Sequence, residues 1–220
     1  GTARVWQADC GAEMFLLRGH SSGVRAASFS PDGSRVVTAS EDGTARLWNA
    51  RTGASLLTLK GHTNWVHAAS FSADGRRVVT ASLDGTARIW DAGTGVSLHT
   101  LKGHASGVHA ASFSADGSRV ITASRDGTAR LWDARTGTEL LTLQVKTFGD
   151  IAASLSADGN RVVIASGEDI ARLWDARTGA LLLTLKGHTR GVLAANFSPD
   201  GTQIVTASGD YTARLWDART

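Results

Sequence analysis

Cysteine occurs once in the chain, at Cys10, so no disulfide can form within it. A stapled extracellular scaffold is therefore excluded, and a reducing compartment, the cytoplasm, is the expected location. Apolar runs are short: none approaches a membrane span, and none has the shape of a signal peptide. Charge of one sign is not concentrated anywhere. Lys and Arg number 23 against 20 Asp and Glu, a formal net charge of +3, and the basic residues are scattered, with no block marking a nucleic-acid or membrane tail. Aromatic content is low, with six Phe and one Tyr, yet 42% of the residues are hydrophobic, enough for a sizeable core. The chain does not open with Met, which leaves room for residues upstream of Gly1.

What is present in abundance is repetition. Trp6, Trp48, Trp90, Trp132, Trp174 and Trp216 stand 42 residues apart, and Gly-His at 19, 61, 103 and 187 keeps the same register. A fixed period of this size marks stacked supersecondary units, none of which can bury its apolar faces without its neighbours. The segment from Gly103 to Asp133 serves as the reference unit. Turn signals cut it into short runs of strand-forming residues with no room for an ordinary helix. Val108 to Ser114 forms a first strand, turned at Ser114-Ala-Asp-Gly117, where Gly117 suits a positive φ. Arg119 to Ser124 forms a second, followed by the hairpin signal Asp126-Gly127. A third strand ends at Trp132-Asp133, and Glu139 to Leu143 forms a fourth. The expected unit is a four-stranded antiparallel meander.

Gly-His, a mid-strand Thr, a tight Asp-Gly turn and a closing Trp-Asp together resemble the WD-repeat β-propeller family over nearly the whole chain. The resemblance implies an all-β propeller of four-stranded blades, with five repeats and a surplus strand. It also implies a buried hydrogen-bonded tetrad in each repeat. Carried over by position, the tetrads are His20, Thr38, Asp42 and Trp48; His62, Thr80, Asp84 and Trp90; His104, Thr122, Asp126 and Trp132; and His188, Thr206, Asp210 and Trp216. Residues 1–18 read as a partial repeat, 19–60, 61–102, 103–144 and 145–186 as full repeats, and 187–220 as one lacking its last strand, all in a single array. Repeat four departs from the pattern, with Lys146, Ile164 and Glu168 at the tetrad positions while Trp174 remains. Losing the partners together is expected to remove an orphaned polar group instead of creating one. This blade is then the soft part of the array.

His, hydroxyl and Asp invite a catalytic reading, which repetition at a fixed period and the absence of a nucleophile elbow argue against. Metal binding has little support: His62 with His67 and His104 with His109 lack Cys partners and a recurring carboxylate. The series Arg4, Arg46, Arg88, Arg130, Arg172 and Arg214 reads as stems laid on apolar surface with their heads in water, in preference to a phosphate-binding row. No cofactor is expected. The sharper candidate is Trp65, the one Trp outside the 42-residue register. By resemblance, three positions per repeat project onto the top face, where partners dock. These include Arg25 and Glu41, Trp65, His67 and Leu83, and His109 and Arg125, with Gly149, Ile151 and Gly167 in repeat four. Trp and Arg are enriched at binding hot spots. The competing reading folds Trp65 onto the rim of its own blade.

The function expected is a non-enzymatic protein-interaction scaffold taking a protein or peptide on the top face. The alternatives are a module binding a small molecule, sugar or nucleic acid, and an amplified or engineered array whose main property is self-assembly; nucleic acid and membrane are not the expected partners. Because residues 211–220 repeat residues 1–10, one third strand is surplus. The expectation is a segment of a larger ring, or a closed assembly in which residues 14–18 of one chain complete repeat five of another.

Overall fold

A computed structural model describes residues 1–145 and 151–219. Among these, all regular structure is β-strand. The strands are β1 (Thr2–Trp6), β2 (Glu13–Arg18), β3 (Val24–Phe29), β4 (Arg35–Ser40), β5 (Ala45–Asn49), β6 (Ser55–Leu59), β7 (Val66–Phe71), β8 (Arg77–Ser82), β9 (Thr86–Asp91), β10 (Ser97–Lys102), β11 (Val108–Phe113), β12 (Arg119–Ser124), β13 (Thr128–Asp133), β14 (Glu139–Gln144), β15 (Ala152–Leu155), β16 (Arg161–Ala165), β17 (Ile170–Asp175), β18 (Leu181–Lys186), β19 (Val192–Phe197), β20 (Gln203–Ser208) and β21 (Ala213–Asp217). They form antiparallel sheets β3–β6, β7–β10, β11–β14 and β15–β18 of four strands each, with β1–β2 as a pair and β19–β21 as a three-stranded sheet.

The turns follow from local chemistry. Ser30 Oγ donates to Asp32 Oδ1 at 2.5 Å, Arg35 N–H donates to Ser30 Oγ at 2.9 Å, and Gly33 closes the turn at φ 68°. Gly43, Gly85 and Gly127 sit at φ 79°, 83° and 83° in the Asp-Gly turns, a conformation that costs a side chain but not glycine. In the fourth sheet that turn reads Glu168-Asp169, and the positive φ moves to Gly167.

The second strands β4, β8 and β12 are buried at nearly every position, because both faces meet neighbouring sheets. The core accordingly lies between consecutive sheets. Val37 and Leu47 from one pack with Val66, Val78 and Trp90 from the next. Val79 and Ile89 meet Val108, Val120 and Trp132, and the pattern continues through Ile121 and Leu131 to Val163 and Leu173. At β19–β21 the corresponding face is uncovered, and Leu215 is 64% exposed. At the other end, β1–β2 places Val5 and Leu17 over Val36 and Trp48, while Phe29 remains 55% exposed.

A second set of inter-sheet contacts is polar. Arg35 donates from its two terminal nitrogens to the carbonyls of Ala92 (2.9 Å) and Gly75 (2.6 Å) in the following sheet. Its guanidinium also lies 5.3 Å from the centre of the Phe71 ring. Arg77 repeats the clasp on Ala134, Gly117 and Phe113, and Arg161 on Ala218, Gly201 and Phe197. Arg119, at the position where Leu155 replaces the Phe, keeps only the bond to Gly159 among the described residues, at 3.1 Å. The fifth position of this series is Gln203.

Candidate functional site

The four His-containing tetrads share one geometry. Trp48 Nε1–H donates to Thr38 Oγ1, which lies 2.8 Å from His20 Nε2, and His20 Nδ1 lies 2.8 Å from Asp42 Oδ2. The same distances recur within 0.1 Å at His62, His104 and His188. With the imidazole neutral, one proton arrangement satisfies every member. Trp and His Nδ1 donate, the Thr hydroxyl donates to a neutral Nε2, and the carboxylate accepts. Burial pushes His20, His62 and His104 below the ordinary imidazole value, against the pull of their aspartates. Burial works against Asp42 as well, but hydrogen bonds from Thr44, His20 and the Ser21 N–H outweigh it and hold the carboxyl down to about 2. The Trp, Thr and His polar atoms are bonded within the set, and the free carboxylate oxygen accepts from a nearby threonine such as Thr44, so the tetrads fasten strands together.

In the fourth sheet Ile164 and Glu168 replace Thr and Asp, and Glu168 instead pairs with Arg172. Trp174 Nε1 is buried without an acceptor among the described residues. The expectation that losing the partners together leaves no orphan is therefore corrected: tryptophan stayed when its acceptor went. Lys146 and Gly149 lie outside the described residues. Ile151, expected on the top face, is a core residue packed among Ile121, Leu131 and Val162.

The arginine series also differs in detail from its expectation. A Cβ added at Gly19 would come 2.8 Å from Arg46 Nη1, and one at Gly61 2.7 Å from Arg88 Nη1. The guanidinium heads thus lie on the Gly-His backbone and against the tetrad Trp, with Arg46, Arg88 and Arg130 Nε buried. Glycine precedes the histidine because the head needs that space.

The top-face candidates converge. Arg25, Trp65, His67, Leu83, His109 and Arg125 line one depression of about 200 Å³. Trp65 is 40% exposed, and its ring lies 5.1 Å from the Arg25 guanidinium. His67 and His109 sit 4.6 Å apart between ring centres, with His67 Nδ1 3.1 Å from the His109 carbonyl. A carbonyl only accepts, so Nδ1 carries the proton and Nε2 is left for other chemistry. Glu41 stands behind the depression, ion-paired with Arg25 and accepting from Ser22 Oγ at 3.1 Å. Its carboxyl packs against Gly23, where a Cβ would approach within 3.0 Å. Among the described residues, no group of three or more His, Cys, Asp or Glu is placed to hold a metal.

Residues 11–49, 53–91, 95–133 and 179–217 match the WD domain, G-beta repeat family. The chain belongs to the WD-repeat family. Its members generally serve as protein-interaction scaffolds and are typically non-enzymatic. The matches pass over residues 134–178, which contain Ile164 and Glu168. No curated protein matches the chain. Two features went unread in the sequence. Tyr211 stands where Gly43, Gly85 and Gly127 stand in the first three full repeats, at φ 69°, with Arg190 5.7 Å from its ring centre. The 42-residue register could have shown both Tyr211 and the Arg-to-Gln change at 203.

Proposed function

We propose that this WD-repeat chain is a protein-interaction scaffold of propeller architecture whose partner-binding site is the depression around Trp65. The observation that carries the reading is the convergence of Arg25, Trp65, His67, Leu83, His109 and Arg125 from neighbouring sheets onto one concave surface. Trp65 supplies apolar area with two faces, of which Arg25 stacks on one. Arg125 supplies positive charge, and His67 Nε2 supplies a hydrogen-bond acceptor. The complementary partner is a peptide segment that places an apolar side chain on Trp65 and Leu83, an acidic one toward Arg125 and a hydrogen-bond donor toward His67 Nε2. The scattered charge favours this over nucleic acid, and the single cysteine favours a reducing, cytoplasmic setting. The test is selection of binders from a random peptide library displayed on phage, followed by titration against variants. Trp65→Ala is expected to weaken the selected peptides by at least about tenfold, or about 1.4 kcal/mol, with an unchanged unfolding midpoint. Peptides that bind Trp65→Ala and the native chain equally would remove the site.

A second reading concerns assembly, and it is favoured by apolar surface at both ends of the array, at Leu215 and at Phe29. We propose that the polypeptide completes its ring through association with another copy.

A further inference from the structure

The full arginine clasp recurs at three sheet junctions, those of Arg35, Arg77 and Arg161, where the receiving side has the same components: an aromatic ring on a first strand, the carbonyl of a turn glycine, and the carbonyl of the alanine two residues after the tetrad Trp. The β3–β6 sheet carries the same receiving set in Phe29, Gly33 and Ala50. There it is open. Gly33 and Ala50 line a cavity of about 510 Å³ together with Asp32 and Ser34, and no described side chain donates to either carbonyl. Phe29 borders a neighbouring groove of about 230 Å³ walled by Val5, Trp6, Leu17 and Val36. This groove runs along the open edge of β1, where a second strand would pair.

The matching donor surface is at the other end. β19–β21 presents Val205 and Leu215 outward, at the positions where Val37 and Leu47 are buried by the next sheet. Its clasp position is Gln203, whose side chain is exposed. β21 and β1 carry nearly the same sequence, Ala-Arg-Leu-Trp and Ala-Arg-Val-Trp, so either can lie between β20 of one copy and β2 of another. Within the chain, β2 pairs with β1, and β21 pairs with β20 only.

We propose that the Phe29–Gly33–Ala50 socket receives Gln203 of a second copy of this chain, docked head to tail through its β19–β21 sheet, and that glutamine makes this junction weaker than the internal ones. The inference rests on the self-association reading above. A guanidinium reaches both carbonyls from separate nitrogens while its face lies on the ring. A glutamine amide has one shorter arm, one nitrogen and no charge, so it reaches one carbonyl and forgoes the cation–π contact. An interface in which one surface meets a different surface closes into a ring or extends as a filament, and a weaker junction keeps it reversible.

The test is sedimentation equilibrium on the polypeptide of residues 1–220 over a wide concentration range, with circular dichroism to verify folding of each variant. The native chain is expected to associate reversibly, and Gln203→Arg to lower the dissociation constant about tenfold. Phe29→Ala in the Gln203→Arg background should erase that gain, and Leu215→Asp, an exposed position, should abolish association in either background. If the chain associates but Gln203→Arg leaves the constant unchanged, or its gain survives Phe29→Ala, the socket assignment is wrong while self-association stands. A one-chain mass for both the native and Gln203→Arg proteins at their highest soluble concentration overturns the assignment and the self-association reading together.

Discussion

Trp174 and Trp132 occupy the same position in consecutive sheets, and among the described residues only Trp132 has an acceptor for its indole N–H, at 2.8 Å on Thr122. An orphaned buried donor costs roughly 1–3 kcal/mol, against about 1 kcal/mol net for a satisfied bond. Tyr211 carries a different local cost, since a left-handed conformation disfavours a side chain by about 1–2 kcal/mol. His20, His62 and His104 carry a pH dependence of definite sign. Their folded-state values lie below 6.5, so the unfolded chain takes up protons first. Their stability contribution is complete above about pH 6.5 and is lost as pH falls toward the folded values. Asp42, lowered from 3.8 to about 2, adds a second loss over that lower window. The urea midpoint is therefore expected to hold steady at neutral pH, decline from about pH 6.5 and fall further below about pH 4. A midpoint that rises on acidification from pH 7 to 5 would contradict the neutral-imidazole assignment.

At the scale of the sheet, β15–β18 differs from its neighbours by more than its orphan. β15 has four residues and β16 five, where the equivalent strands of β11–β14 have six. Amide hydrogen exchange should be faster in Val162–Ala165 than in Val78–Ala81 or Val120–Ala123, because opening this sheet breaks fewer side-chain bonds. Equal protection in the three segments would rule this out. The strand order and the tetrads were legible because they recur at a fixed interval in one dimension, as Trp48, Trp90 and Trp132 do. The clasp was not. Arg35 and Gly75 are 40 residues apart, near the period but not on it, and nothing in the repeat pattern says that the side chain crosses to the following sheet. Trp174 misled for another reason: its three altered partners read as a coordinated loss, whereas the indole stayed in the core for its packing. The gathering of Trp65 with Arg25, His67 and Arg125 was legible only through the family resemblance, since neither composition nor spacing places those side chains on one face.

Across the whole molecule, stability is divided among junctions instead of residing in one central core. A change at one clasp should consequently be felt locally. Arg77→Gln places inside the array the side chain found at 203, leaving Gly117 and Ala134 with at most one donor between them. The expected loss is roughly 1–3 kcal/mol, with a shallower denaturant transition as the two sides of that junction begin to unfold separately. A parallel shift of the whole transition with an unchanged slope would instead mean that the array unfolds as one unit. The clasps also give the array a direction, because each arginine reaches forward, never back, to a carbonyl 40 residues later in the chain. A ribosome releases the polypeptide from its N-terminus, so each arginine emerges before the carbonyl it will hold. Every sheet is then born with its forward face bare, and the interval during which it stays bare is the time taken to translate the next repeat.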